Sequence, residues 1–352
     1  MDKFYSQWKH GLTFDDVLVY PRKSLPSRFN INTETRFTRR HKIKIPIITA
    51  NMDTVTESEM MVAMYRLGGC GIIHRNCTIQ HEVDEILLAK KMEPGMETIA
   101  ASIGVKDYED RAPAIIEAGA NVVTIDIAHG HSNSMLTVID YLKTNFPEVD
   151  VIAGNVATPE GTVELVRAGA DAIKVGIGGG SMCTTRLVTG FGIPQLTSVI
   201  ECNQIAREAN VPIISDGGIR FAGDIIKAIV AGAQSAMIGN LAAATKETPG
   251  KIVALPGGKK CKIYRGMAST AAREQMMEKV PEEMAPEGVE TIVEYKGSIT
   301  PIINQLVGGI RSGMSYGNAS NFDELRECQF VVVTSNVAKE NRPHGIRSMT
   351  TL

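Results

Sequence analysis

Eight times along this chain, a short run of β-branched and small apolar residues is followed by a segment with helical spacing. The runs fall at 45–50, 70–74, 98–103, 122–126, 151–155, 172–176, 211–216 and 235–239. They are apolar with little alternation, so each predicts a strand buried on both faces, as in a parallel sheet. The segments between them open on Ser, Thr or Asp caps, such as Thr158, and close on glycines such as Gly119, Gly169 and Gly232. Eight strand-and-helix units over roughly 250 residues is the count of a closed (β/α)₈ barrel of the TIM type, an α/β fold. A doubly wound open sheet is the rival. The Ala-Gly-Ala helix ends repeated at 118–120, 168–170 and 231–233 favour closure.

The chain is long enough, at 352 residues and 43% hydrophobic, to bury a large core, and it is read as one catalytic domain over 1–352. Three segments stand outside the regular units: an N-terminal arm (1–40), a Gly- and Thr-rich loop (177–200) and a flap after the eighth strand (260–300), rich in Glu, Met and Pro. A net charge of −2 gives no mark of a nucleic-acid or membrane-surface binder. No apolar run approaches the ~18–20 residues of a membrane span, and Met1-Asp2-Lys3 opens no signal-peptide pattern. Cysteines 70, 77, 183, 202, 261 and 328 include no CxxC pair, which predicts free thiols in a reducing cytoplasm.

Barrel active sites lie at the carboxyl ends of the strands, here Asn51-Met52-Asp53, His74, Asp126, Asn155, Gly176, Asp216 and Gly239. Behind the glycines of 178–180 stands Cys183, either an exposed nucleophile or a small apolar residue in a tight loop. The stretches Ser215-Asp-Gly-Gly-Ile-Arg220 and Met237-Ile-Gly-Asn240 end the last two strands, where small residues expose backbone N–H groups to a phosphate; plain turn chemistry is the alternative. His74, His129 and His131 show no ligand spacing, so no transition metal is expected. Met276, Met277 and Met284 read as adaptable packing in the flap.

Taken together, several motifs resemble the IMP dehydrogenase/GMP reductase family along nearly the whole chain. They are Leu12-Thr-Phe-Asp-Asp-Val17, Asn51-Met-Asp-Thr-Val-Thr-Glu57, Asp126-Ile-Ala-His-Gly-His-Ser132, Ala153-Gly-Asn-Val156, Lys174-Val-Gly-Ile-Gly-Gly-Gly-Ser-Met-Cys-Thr-Thr-Arg186, Ser215-Asp-Gly-Gly218, Tyr264-Arg-Gly-Met-Ala-Ser269 and Tyr295-Lys-Gly297. The resemblance implies a covalent adduct of Cys183 with C2 of a purine nucleotide, GMP or IMP. It implies that Ser181, Gly217, Gly218, Gly239, Asn240 and Tyr264 surround the 5′-phosphate, Asp216 the ribose, and Met52, Met267 and Ala268 the base. Asp126, Asn155 and Gly176 would meet the nicotinamide of NADPH or NAD. The carbonyls of Gly178, Gly180 and Cys183 match a monovalent-cation (K⁺) site of dehydrogenase members, and the resemblance implies a homotetramer. The family's usual loop proline is Gly179 here, and a common phosphate-loop serine is Asn240.

Two family activities share the adduct. Oxidation of IMP with NAD ends by hydrolysis, whereas reduction of GMP with NADPH releases ammonia. Dehydrogenases carry an Arg-Tyr pair in the flap that activates water; Arg273 here has no tyrosine beside it. Nor is there room for CBS domains between Gly71 and Thr98. Thr185 with Glu287 would protonate the departing ammonia, although both activities share that pair. The strings at 54–57, 71–74 and 264–267 look dehydrogenase-like. The reductive direction is the first expectation, and oxidation of IMP the second. A non-catalytic nucleotide binder would not need Cys183 and Glu287. A Schiff-base aldolase or synthase would need a lysine at a strand end, and Lys174 lies inside its strand.

Overall fold

Short apolar segments become strands because neighbouring strands and helices bury both of their faces. In the computed structural model, residues 9–24, 30–275 and 285–340 are described. The barrel strands are β1 (Ile47–Thr49), β2 (Cys70–Ile73), β3 (Ala100–Ile103), β4 (Val122–Asp126), β5 (Asp150–Val156), β6 (Ala172–Val175), β7 (Ile213–Asp216) and β8 (Ser235–Ile238). They pair in parallel around a closed ring, β8 lying against β1. The outer helices are α1 (Ser58–Arg66), α2 (Ile79–Met92), α3 (Tyr108–Ala118), α4 (Asn133–Asn145), α5 (Pro159–Arg167), α6 (Gln195–Glu208), α7 (Ala222–Val230) and α8 (Ile299–Tyr316). Each predicted strand therefore exists, and the α/β barrel closes.

The caps behave as their residues dictate. The Thr158 side chain accepts from the Gly161 N–H at the start of α5, and the Thr78 side chain does the same for His81 at the start of α2. Gly119 ends α3 with φ of +121°, a value that a side chain would disfavour.

Inward and outward residues form two cores. Inside the barrel lie Ile48, Ile72, Ala100, Val122, Ile152, Ala172, Ile214 and Met237, capped at the amino ends by Phe37 and Ile43. These two come from the arm, whose strands Thr35–Arg36 and Lys42–Ile43 form a hairpin that plugs the barrel floor. Apolar residues of the strands' outer faces, such as Ile47, Ile73 and Val123, pack against the helices. The arm strand Val17–Val19 also pairs with Phe330–Val332, tying the two ends of the chain together.

The upper face is irregular. The stretch 177–200 is not a loop throughout, because it contains a helical turn (Thr185–Thr189) and α6 begins at Gln195. Beyond β8, the strands Val253–Ala254, Lys260–Arg265 and Glu290–Glu294 form a small antiparallel sheet, with the helix Thr270–Gln275 inside the excursion. The predicted flap methionines Met276, Met277 and Met284 lie outside the described residues. Between β2 and β3 the chain runs through the single helix α2.

Candidate active site

The Cys183 loop is held from three sides. The Cys183 N–H closes a tight turn onto the Gly180 carbonyl at 3.1 Å. Arg186 spans the loop, donating to the carbonyls of Ile177 (3.3 Å) and Ile193 (2.6 Å). The third support is the far arm of the flap excursion: Thr184 N–H donates to the Glu287 carbonyl at 3.0 Å, and Val289 N–H to Met182 at 3.1 Å. Cys183 is thereby paired antiparallel with Gly288. These backbone bonds bring Glu287 beside a thiol more than a hundred residues earlier in the chain.

The side chains form a directed line. The Cys183 thiol donates to Thr185 Oγ1 at 3.1 Å, and that hydroxyl donates to Glu287 Oε2 at 2.7 Å. All three residues are half-buried, so the line is reachable from the barrel mouth. The other cysteines contrast with it. Burial pushes the Cys70 and Cys202 thiols up to about 12, and burial together with Glu82 does the same to Cys77. Cys261 and Cys328 are buried.

Ser181, Gly239 and Tyr264 converge beside this loop. The Tyr264 hydroxyl lies 3.1 Å from Ser181 Oγ, and a methyl group on Gly239 would sit 2.7 Å from it. Met52 Sδ is 4.0 Å from the same hydroxyl. Burial raises the Tyr264 phenol above its ordinary range, so it stays a neutral donor. Gly218 N–H donates to the Gly179 carbonyl at 3.0 Å, seating the Gly217-Gly218 turn on the Cys183 loop. Asn240 is exposed, and its carbonyl accepts from Lys296 at 2.6 Å. Met267 is half-buried, and the Ala268 carbonyl accepts from the Glu287 N–H at 3.2 Å.

Beneath the mouth lies a charged cluster on four adjacent strands. Lys174 Nζ on β6 donates to Asp126 Oδ1 (2.6 Å) on β4, to Asp216 Oδ2 (2.9 Å) on β7, and to Asn155 Oδ1 on β5. The β5–β6 register shifts between Gly154 and Val156, which turns Asn155 inward. Its amide then donates to the Gly176 carbonyl (2.7 Å) and to Asp216 (2.9 Å), while Asn51 donates to Asp126 at 2.9 Å. Burial alone would lower the Lys174 ammonium; Asp126 and Asp216 outweigh it and raise it. Burial would likewise raise Asp126, but Lys174 holds its carboxyl below the usual range. The lysine side chain is 3% exposed and the two carboxylates 23% and 24%, so the anionic ends face the mouth.

Residues 11–344 match the sequence profile of the IMP dehydrogenase / GMP reductase domain. The chain belongs to the IMP dehydrogenase / GMP reductase family. It is similar to inosine-5′-monophosphate dehydrogenase of Cryptosporidium parvum, 40% identical over 96% of this chain and 95% of that protein. The enzyme of the same name from Aquifex aeolicus is 36% identical over 96% of each chain. Among solved structures, it is similar to a cysteine-to-alanine variant of GMP reductase from Trypanosoma brucei in complex with guanosine 5′-monophosphate. That likeness has a TM-score of 0.91 at 32% identity, covering 98% of this chain and all of the other. The similar proteins thus carry both of the family's names.

Within this family's fold, every site residue expected from sequence lies at the barrel mouth or in the loops over it. Sequence reasoning passed over two groups. Lys174 was set aside as a strand residue, yet its ammonium joins Asp126, Asn155 and Asp216. Arg265 donates to Asp53 Oδ2 at 2.9 and 2.6 Å, clamping the flap sheet to the loop after β1. Arg265 directly follows Tyr264 in the sequence. For a monovalent cation, the carbonyls of Gly178 and Cys183 accept no hydrogen bond among the described residues, and Gly180 spends one lone pair on Cys183. Such carbonyls fit a cation that prefers neutral oxygen donors.

Proposed function

We propose that this protein is a GMP reductase, converting GMP to IMP and ammonia through a covalent bond between Cys183 Sγ and purine C2. The covalent step rests on the direction of the line from thiol to carboxylate, which both family activities would share, and the reductive direction rests on Arg273, which has no tyrosine beside it to activate water. Cys183 points its proton at Thr185, and Thr185 points its own at Glu287, so attack by sulfur on C2 can send a proton to Glu287. The C2–N bond then breaks as Glu287, through Thr185, returns that proton to the departing amino group. Sulfur keeps C2 until hydride replaces it there, and leaves as thiolate. A reduced nicotinamide, taken here as NADPH, supplies that hydride when bound.

This chain's residues do the holding. Ser181, Gly217, Gly218, Gly239, Asn240 and Tyr264 would surround the phosphate, and Asp216 the ribose hydroxyls. Met52, Met267 and Ala268 would line the base. Asp126 and Asn155, with Gly176, would face the nicotinamide, because their polar ends reach the mouth while Lys174 stays beneath. The carbonyls of Gly178, Gly180 and Cys183 would hold a monovalent cation and so brace the loop. The family further implies a homotetramer acting in the cytoplasm; sedimentation of the pure protein tests the assembly.

Oxidation of IMP is the second reading, supported by the names of relatives at 36% and 40% identity. It needs a base to activate water, and Arg273 has Ala272 and Glu274 as neighbours, not tyrosine. Nicotinamide absorbance in two parallel assays decides. Consumption of NADPH with ammonia release, seen with GMP alone, is the expected result. Reduction of NAD with IMP and potassium, and none of the first reaction, would overturn it in favour of the dehydrogenase.

A further inference from the structure

Away from the thiol line, the head of α1 meets the first turns of α2. Glu57 immediately precedes α1, while His81 and Glu85 stand one helical turn apart on α2. Their ligand atoms, one per residue, all lie within 4.8 Å of one another. His81 Nε2 and Glu57 Oε1 are already 3.1 Å apart. Donors bound at ~2.0–2.1 Å around one tetrahedral ion stand about 3.3 Å from each other, so small side-chain motions suffice.

The surroundings already orient these groups. Asn76 N–H donates to His74 Nδ1 at 3.1 Å, which leaves the His74 proton on Nε2. That proton goes to Glu57 Oε1 at 3.1 Å, so buried His74 fixes the carboxylate and is itself unable to be a ligand through Nε2. Ser58 N–H donates to Glu85 Oε2 at 2.8 Å. This is how outer hydrogen bonds set metal-binding side chains in place. A cavity of about 300 Å³ adjoins Glu57 and Glu85, and Glu59 and Glu247 also line it. Lys246 and Lys262 line it too, so it gives an entry path of mixed charge.

We propose that Glu57, His81 and Glu85 form a binding site for one divalent transition-metal ion of the zinc class, tying the start of α1 to α2. One imidazole and two carboxylates, with a fourth position open to water, suit such an ion better than magnesium, which favours all-oxygen octahedra.

Calorimetric titration of the full-length protein with zinc chloride tests this, beside cobalt spectra and the variants His81→Ala, Glu85→Gln and His81→Cys. The expected result is one zinc ion per chain, with affinity lowered at least tenfold in His81→Ala and Glu85→Gln. His81 is exposed and Glu85 half-buried, and glutamine keeps an oxygen for the Ser58 N–H, so circular dichroism and turnover should match the parent. His81→Cys should keep the ion and add a thiolate-to-cobalt absorption band that the parent lacks. Equal zinc affinity in all four proteins, a thiolate band in the parent, or competition by magnesium at similar concentration would each overturn the proposal.

Discussion

The thiol line and the charged cluster beneath it are built in opposite ways. Cys183 and Glu287 sit on irregular backbone and Thr185 opens a short helical turn; all three are half-buried and joined by two hydrogen bonds between groups that can exchange a proton. Lys174, Asp126, Asn155 and Asp216 sit on strands, and their central ammonium is buried. The first can move protons because each member hydrogen-bonds to the next and all three are open to the mouth. The second holds its charges fixed, since a raised lysine and a depressed aspartate keep each other ionised. Reactivity is thus placed on loops and electrostatic order on the scaffold, as barrels commonly arrange it.

The largest test of this division is Cys183→Ala. Turnover should vanish, while nucleotide affinity stays within about threefold, a change worth under 1 kcal/mol. Fluorescence or calorimetric titration with GMP checks the second half. Residual turnover at the parent rate would mean that no covalent step passes through this sulfur. Glu287→Gln comes next, because it keeps the hydrogen bond from Thr185 but cannot take a proton. A loss of roughly 10²–10⁴ in kcat, with little change in KM, is the range for removing a general acid. A uniform rise in KM instead would make Glu287 a binding group.

Lys174→Met attacks the scaffold half. Removing one partner of a buried ion pair costs about 3–5 kcal/mol. The two carboxylates are about a quarter exposed, so the lower end, about 3 kcal/mol in denaturant unfolding, is expected. Adding Asp126→Asn should restore part of this by removing a stranded charge. The pH dependence has a definite sign. Asp126 has a depressed carboxyl in the folded protein, so its contribution is present above the unfolded value of about 3.9 and is lost as pH falls through the lower folded value. Asp126→Asn should flatten that acid limb of the melting-temperature profile. An unchanged limb would place the titration elsewhere.

The same contrast explains what could be read from the sequence. The barrel was legible because each strand and helix is a local pattern, and Gly119 or Thr158 signals its boundary within a few residues. The Cys183 loop was legible for the same reason, its glycines and thiol lying within one short stretch. Lys174 was not, because its partners stand 48, 19 and 42 residues away and only barrel closure makes them neighbours. The group of Glu57, His81 and Glu85 was hidden likewise, since α1 and α2 must pack before the carboxylate meets the imidazole. The inner course of residues 177–200 was half legible: Gly-rich composition suggested loop, but Gln195 starts α6 with its amide donating to the Val175 carbonyl at 2.8 Å.

The smallest effect belongs to Tyr264→Phe, which probes the seam between the two halves. The ring is 2% exposed and phenylalanine retains it, so its packing is kept. What is lost is one hydroxyl, 3.1 Å from Ser181, and Ser181 is exposed enough to find water instead. No buried polar group is orphaned, so the cost is that of one ordinary hydrogen bond, about 1 kcal/mol. If that hydroxyl meets the phosphate, GMP affinity falls about fivefold and guanosine affinity does not move. An equal loss for both would shift the phosphate away from Tyr264, leaving the Gly217-Gly218 turn to hold it without the flap sheet. In that case the flap would act on the base alone, through the backbone bonds that join Ala268, Glu287 and Thr184.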